Sequence, residues 1–123
     1  MKDLSILDSL ITGRVEPHIY AFTTNTIPNY LKVGDTYRPV SKRLREWREY
    51  FPNLEQKFEG SAKITDNVYF RDFAVHYFLE SEKRRARLKA SDLTEGGYYS
   101  KEFFREATVD DVEEAIADIH EDY

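Results

Sequence analysis

The sequence predicts one α+β domain, and three observations carry that prediction. Two short β-patterned runs, His18–Phe22 and Tyr30–Gly34, are joined by a stretch rich in Thr and Asn that contains Pro28. Apolar residues recur at helical spacing in several other stretches. No internal repeat, low-complexity tract or linker interrupts the 123 residues, a length that buries a core without covalent staples.

Taken in order, residues 3–12 set Leu4, Ile6, Leu7, Leu10 and Ile11 at helical spacing ahead of Gly13, so an N-terminal helix is expected at about 3–12. Glu16-Pro17 forces an extended entry into the first strand. The connection from Thr23 to Asn29 is short, which makes the two strands antiparallel. Gly34 ends the second strand and marks a close backbone approach or a positive φ. Pro39 suits the first turn of a helix that buries Val40, Leu44, Trp47 and Phe51, and Pro52-Asn53 stops it. Weak alternation from Leu54 to Ile64 reads as a third strand. Asp66 or Asn67 is placed to cap a long helix from about Val68 to Leu88. Tyr98-Tyr99 and Phe103-Phe104 are expected to pack back on the core. Thr108 and Asp111 form a variant capping arrangement for an acidic last helix at about 109–122, with Val109, Val112, Ile116 and Ile119 on its apolar side.

Composition narrows the function. The absence of cysteine excludes disulfides, thiolate zinc sites and cysteine nucleophiles. No apolar run approaches the ~20 residues of a membrane span, and Lys2-Asp3 opens an amphipathic segment rather than a signal peptide, so a cytoplasmic location is expected. The net charge of −5 argues against a polyanionic partner until its distribution is considered. Residues 110–122 hold seven carboxylates and no Lys or Arg, and without them the chain carries +2. The cations gather in two clusters, Arg38/Lys42/Arg43/Arg45/Arg48 and Lys83/Arg84/Arg85/Arg87/Lys89, an asymmetry compatible with one cationic face.

A few polar residues stand out against apolar surroundings. Lys32 interrupts Tyr30, Leu31 and Val33; alternation allows it a solvent-facing position as well as a functional one. Tyr20 lies mid-strand, and Arg43 precedes Leu44 on the basic helix. Lys and Arg together suit phosphate oxygens, one as a point charge and the other as a planar fork. Asp72 falls on a helical face with Val68, Val75 and Leu79, where a carboxylate is paired, protonated or bound to metal. His76 follows one turn later, close enough to share a site.

In that order these residues resemble the GIY-YIG nuclease superfamily, in its phage-related branch with a Lys-Ile-Gly-type second motif. His18-Ile19-Tyr20 stands as the first motif, with His in the glycine position, and Lys32-Val33-Gly34 as the second. Arg43 sits where the family arginine is expected, followed by leucine. Asp72-Phe73-Ala74-Val75-His76 is similar to a Glu-x-x-x-His helix motif, with Asp for the usual Glu, and Lys101-Glu102-Phe103-Phe104 to a later Glu-aromatic-Phe signature. The resemblance implies a small three-stranded antiparallel sheet flanked by helices and metal-dependent cleavage of DNA. Tyr20 would position or deprotonate the attacking water, with Lys32 beside it stabilising negative charge on the phenol oxygen. Arg43 would bind the scissile phosphate, Asp72 would hold Mg²⁺ (or Mn²⁺), and His76 would orient water or phosphate. Arg38, Lys42, Arg45 and Arg48 would contact the DNA backbone. Other domains or subunits of a DNA-processing or restriction system are expected partners. The alternative is a weakly active or inactive module of the same fold that binds DNA or another protein.

Overall fold

The predicted hairpin forms the middle of the main sheet. In the computed structural model, which describes residues 7–9, 16–89 and 101–122, strand β1 is Leu7–Ser9, β2 is His18–Thr23 and β3 is Tyr30–Thr36. Helix α1 (Val40–Trp47) follows, then strands β4 (Glu55–Ser61), β5 (Lys63–Thr65) and β6 (Val68–Phe70). Helix α2 (Asp72–Ser81), strand β7 (Phe103–Arg105) and helix α3 (Val109–Asp122) complete the order. The chain is α+β, as its patterning predicts. Its principal sheet has four strands rather than three, ordered β4-β2-β3-β7 with every neighbour antiparallel. Strands β1, β6 and β5 make a second, smaller antiparallel sheet.

The unforeseen strand of the main sheet is β7. Its neighbours Phe103 and Phe104 are both fully buried, and strand geometry sends them to opposite faces. Each joins a different core. On one face Ile19, Ala21, Leu31, Val33 and Phe104 pack with Val75 and Leu79 of α2 and Val112, Ala115 and Ile119 of α3. On the other, Tyr20, Phe22 and Phe103 pack with Val40, Leu44 and Trp47 of α1 and with Phe51 beyond its end. Helices therefore cover both faces of β2 and β3, which explains why an antiparallel pair reads as nearly unbroken apolar sequence.

Two helix expectations need correction. The stretch from Val68 to Leu88 begins as β6, because Val68, Tyr69 and Phe70 find backbone partners in β5 and β1. Asp66 and Asn67 turn between strands instead of capping a helix. Helix α2 starts only at Asp72 and ends at Ser81, and Arg84, at φ 55°, stands just beyond that end. Of the N-terminal helix expected at 3–12, only Leu7–Ser9 is described, and it is strand, paired with Val68–Phe70. Helical spacing over so few residues is overridden when a sheet edge offers partners, since short helices are marginal on their own. The rest of that segment, like Tyr98-Tyr99, lies outside the described residues. Among the described residues no helix is long and apolar enough to cross a membrane.

The two helix starts that matter to the site are capped in different ways. For α3, Thr108 and Asp111 exchange backbone and side-chain hydrogen bonds at 3.0 and 3.1 Å, a reciprocal box with Asp in place of the usual Glu. For α2 the cap comes from another element. Asp35, near the end of β3, accepts from the Asp72 backbone N–H and from Arg71 Nε, both at 2.8 Å. A carboxylate at this helix terminus satisfies an orphan donor and the dipole together, and it pins Asp72 beside β3.

Candidate active site

Register decides which side chains meet. Tyr20 pairs with Gly34 and Phe22 with Lys32, so Tyr20, Lys32 and Gly34 share the face covered by α1. The Tyr20 ring lies directly over Gly34: a Cβ there would stand 2.6 Å from Tyr20 Oη and 2.8 Å from Lys32 Nζ. Close approach, and not a positive φ, is the reason for glycine. Trp47 at the end of α1 donates its indole N–H to Tyr20 Oη at 2.7 Å. The same indole ring lies 4.5 Å from Lys32 Nζ and 5.3 Å from Arg43 Cζ, within cation–π range of both. Trp47 thus touches all three polar residues that the sequence singles out on this face.

Lys32 is 0% exposed, which removes the solvent-facing reading. A buried ammonium requires a counter-charge, and it has one in Glu102, at 2.5 Å and 70 residues away in sequence. Arg43 is half-exposed and bonded to Glu46 at 3.0 Å, an acceptor it shares with Arg38 at 2.7 Å. Partial burial works against the Arg43 charge, but Glu46 and the nearby Tyr20 hydroxyl more than offset it and raise its pKa. Hydrogen bonds from Arg38 and then Arg43 hold Glu46 down at about 2.

Across β3 stands a second group. Donor atoms of Asp72, His76 and Glu102 all lie within 4.8 Å of one another. Burial, followed by repulsion from Asp35 and Glu102, pushes the Asp72 carboxyl up to about 7, with Lys32 pulling the other way. Glu102 goes in the opposite direction. Burial would raise it, but the Lys32 ammonium and its hydrogen bond hold it below the usual carboxylate range, so the proton stays on Asp72. Burial lowers His76 to about 4, leaving the ring neutral. Its Nε2 lies 2.7 Å from Val33 O, and a carbonyl only accepts, so the proton is on Nε2 and Nδ1 is unprotonated.

The five residues proposed for chemistry therefore form two groups on opposite faces of β3. Tyr20, Lys32 and Arg43 gather around Trp47; Asp72 and His76 project from α2; Glu102 joins the groups by touching both. Asp72 is the first residue of α2 rather than a mid-helix position. Of the cations assigned to DNA, Arg38 is tied to Glu46, while Lys42, Arg45 and Arg48 are exposed on or just after α1 and make no ion pair among the described residues. Three of the five cations of the second cluster are neutralised internally: Lys83 pairs with Glu114, Arg85 with Asp111 and Arg87 with Glu80.

Three contributors carried no role in the sequence reading. Glu102 appeared only within a signature, Trp47 only as core, and Asp35 not at all. The available signal was Lys32 itself, since a lysine in a buried strand demands a carboxylate, but nothing local says which one.

This arrangement belongs to a nuclease-like domain. The chain is a member of the T5orf172 domain family, whose sequence model matches residues 17–120. That match corrects the superfamily resemblance drawn from the motifs, because the family identified is T5orf172 and not GIY-YIG. No curated protein and no solved structure matches the chain at a significant level.

Proposed function

We propose that this domain is an endonuclease that hydrolyses phosphodiester bonds in DNA with the help of a divalent metal ion. The observation that carries the proposal is the meeting of a phenol, two cations and an Asp-His-Glu group around one strand, β3. The donor set fits a hard divalent cation. Two carboxylates and a neutral imidazole converge, the imidazole donates its other N–H to a carbonyl as metal-bound histidines do, and Asp72 sits in excess negative charge. Asp72, Glu102 and His76 would hold Mg²⁺ or Mn²⁺, which when bound polarises a phosphoryl oxygen and offsets charge on the leaving oxygen.

The remaining roles fall to the chain's own groups. Tyr20 orients the attacking water through a hydroxyl fixed by Trp47. Lys32 stabilises negative charge beside it. Arg43, the most accessible of the three, binds the scissile phosphate and meets the charge that grows in the transition state. Lys42, Arg45 and Arg48 hold the DNA backbone by counterion displacement, without sequence discrimination.

Plasmid nicking with and without Mg²⁺ tests the reading. Wild type should nick only with metal, and Tyr20→Phe and Asp72→Ala should each lose about 100-fold or more, the scale of a lost acid–base group. Nicking that continues undiminished in both variants would end it.

A further inference from the structure

The state described here poses a difficulty for its own chemistry, because Lys32 has no exposed surface and its ammonium is occupied by Glu102. We propose that Glu102 is a shared anchor for which Lys32 and a divalent cation at Asp72 and His76 compete, so that cation binding releases Lys32 towards the Tyr20 hydroxyl and the substrate phosphate. The inference rests on the reading of Asp72 as a metal ligand and adds to it an order of events: cation first, phosphate second.

Position allows Glu102 to serve both sides. Its backbone carbonyl accepts from Val33 N–H at 3.0 Å, just before β7 begins, so the residue lies alongside β3 where the two faces come together. Its side chain reaches Lys32 on the α1 face and the Asp72–His76 group on the α2 face. Accessibility is asymmetric: the Glu102 side chain is 36% exposed and that of Lys32 is 0% exposed, so an ion from solvent reaches the carboxylate without first displacing the ammonium. Charge balance has the matching sign. Among the described residues, the carboxylates of Asp35, Asp72 and Glu102 face the cations Arg71 and Lys32, so ionised carboxylates outnumber these cations when all three are charged. A released Lys32 is not stranded. It already lies 4.5 Å from the Trp47 ring and 5.2 Å from the Tyr20 ring, which provide a cation-binding surface leading to the phenol oxygen.

Competition makes a prediction of unusual sign. Removing the rival cation should tighten metal binding. By calorimetry with Mn²⁺ and Mg²⁺, Lys32→Met should bind about tenfold more tightly than wild type, and Glu102→Gln about ten- to a hundredfold more weakly. The chain holds a single tryptophan, so Trp47 emission reports Lys32 moving along its ring towards the phenol: Mg²⁺ should shift emission in wild type and not in Glu102→Gln. Should Lys32→Met fail to fold, the wild-type and Glu102→Gln emission titrations decide the matter. Unchanged or weaker metal affinity in a folded Lys32→Met, or Mg²⁺ binding with silent Trp47 emission, overturns the competition while leaving the metal site intact. If neither ion binds wild type at all, the metal reading itself falls and the competition with it.

Discussion

The two faces of β3 carry different kinds of polar site. On the α1 face every group is matched: Trp47 donates to Tyr20, Lys32 and Arg43 lie against aromatic rings, and Glu46 and Glu102 supply counter-charge. On the α2 face carboxylates crowd one another, and one of them keeps its proton to about neutral pH. The first arrangement is pre-organised and closed. The second carries more carboxylate than cationic charge among the described residues, which supports the proposed divalent-metal site. If that contrast is right, equal losses of activity on the two faces should come with opposite effects on stability.

The largest expected effect follows directly. Tyr20→Phe and Asp72→Asn should both reduce nicking by about 100-fold or more. Tyr20→Phe removes the buried oxygen that accepts from the Trp47 N–H and should lower the melting temperature. Asp72→Asn removes a crowded charge and should raise it. A drop in melting temperature for both variants would break the comparison.

The same contrast is sharpened by pH. The Asp72 carboxyl titrates at about 7 when folded and near 3.8 in the unfolded chain, so between these values the folded protein holds the extra proton and stability falls as pH rises. His76 has the opposite shift, about 4 folded against 6.5 unfolded, so stability rises with pH across that window. The two slopes oppose each other from about 4 to 6.5 in wild type. Asp72→Asn should expose the rising limb and His76→Asn the falling one, read as melting temperature across pH. Saturating Mg²⁺ should remove the Asp72 contribution, since a bound cation favours the ionised form. Identical pH profiles for all three proteins would count against these assignments.

How much of this could be read in the sequence varies with the range of the interaction. The hairpin, α1 and α3 were legible because local spacing and turn chemistry determine them, and the Thr108–Asp111 box is a three-residue signal. β6 was mistaken for helix because Val68-Tyr69-Phe70 joins α2 with a single residue between, so the apolar period runs on through the break. β7 is three residues long, too short for alternation to register. Tyr20, Lys32, Arg43, Asp72 and His76 stood out as polar residues in apolar settings, yet nothing in their spacing says that Asp72 and Tyr20 lie on opposite faces. Glu102 shows the limit most clearly: its partners Lys32, Asp72 and His76 all lie 26 or more residues upstream, and only the folded sheet brings them together.

Trp47 offers a mid-sized test of the α1 face. Trp47→Phe keeps an aromatic ring between Lys32 and Arg43 and deletes the N–H that fixes Tyr20. A loss of roughly tenfold in kcat with little change in KM is expected, the scale of one neutral hydrogen bond. In a Tyr20→Phe background the same change should cost nothing further, because both act through one hydroxyl. Additive losses would reduce Trp47 to packing.

The smallest effects should separate the two cationic clusters, which look alike in sequence. Lys42, Arg45 and Arg48 are exposed, so replacing each with alanine should weaken DNA binding slightly and lower the salt slope by about one per residue, with no change in melting temperature. Arg85 instead neutralises Asp111, which is 5% exposed at the start of α3 and also receives Lys83 and the Thr108 N–H. Arg85→Ala should therefore destabilise the fold by about 1–3 kcal/mol, the penalty for a poorly satisfied buried acceptor, and leave the salt slope unchanged. The acidic last helix pairs with Lys83 and Arg85 and leaves Lys42, Arg45 and Arg48 exposed, which reconciles a net charge of −5 with the proposed DNA-facing surface. A salt slope that falls equally for both sets would show that α3 leaves its cluster available, and the cationic surface would then extend beyond α1.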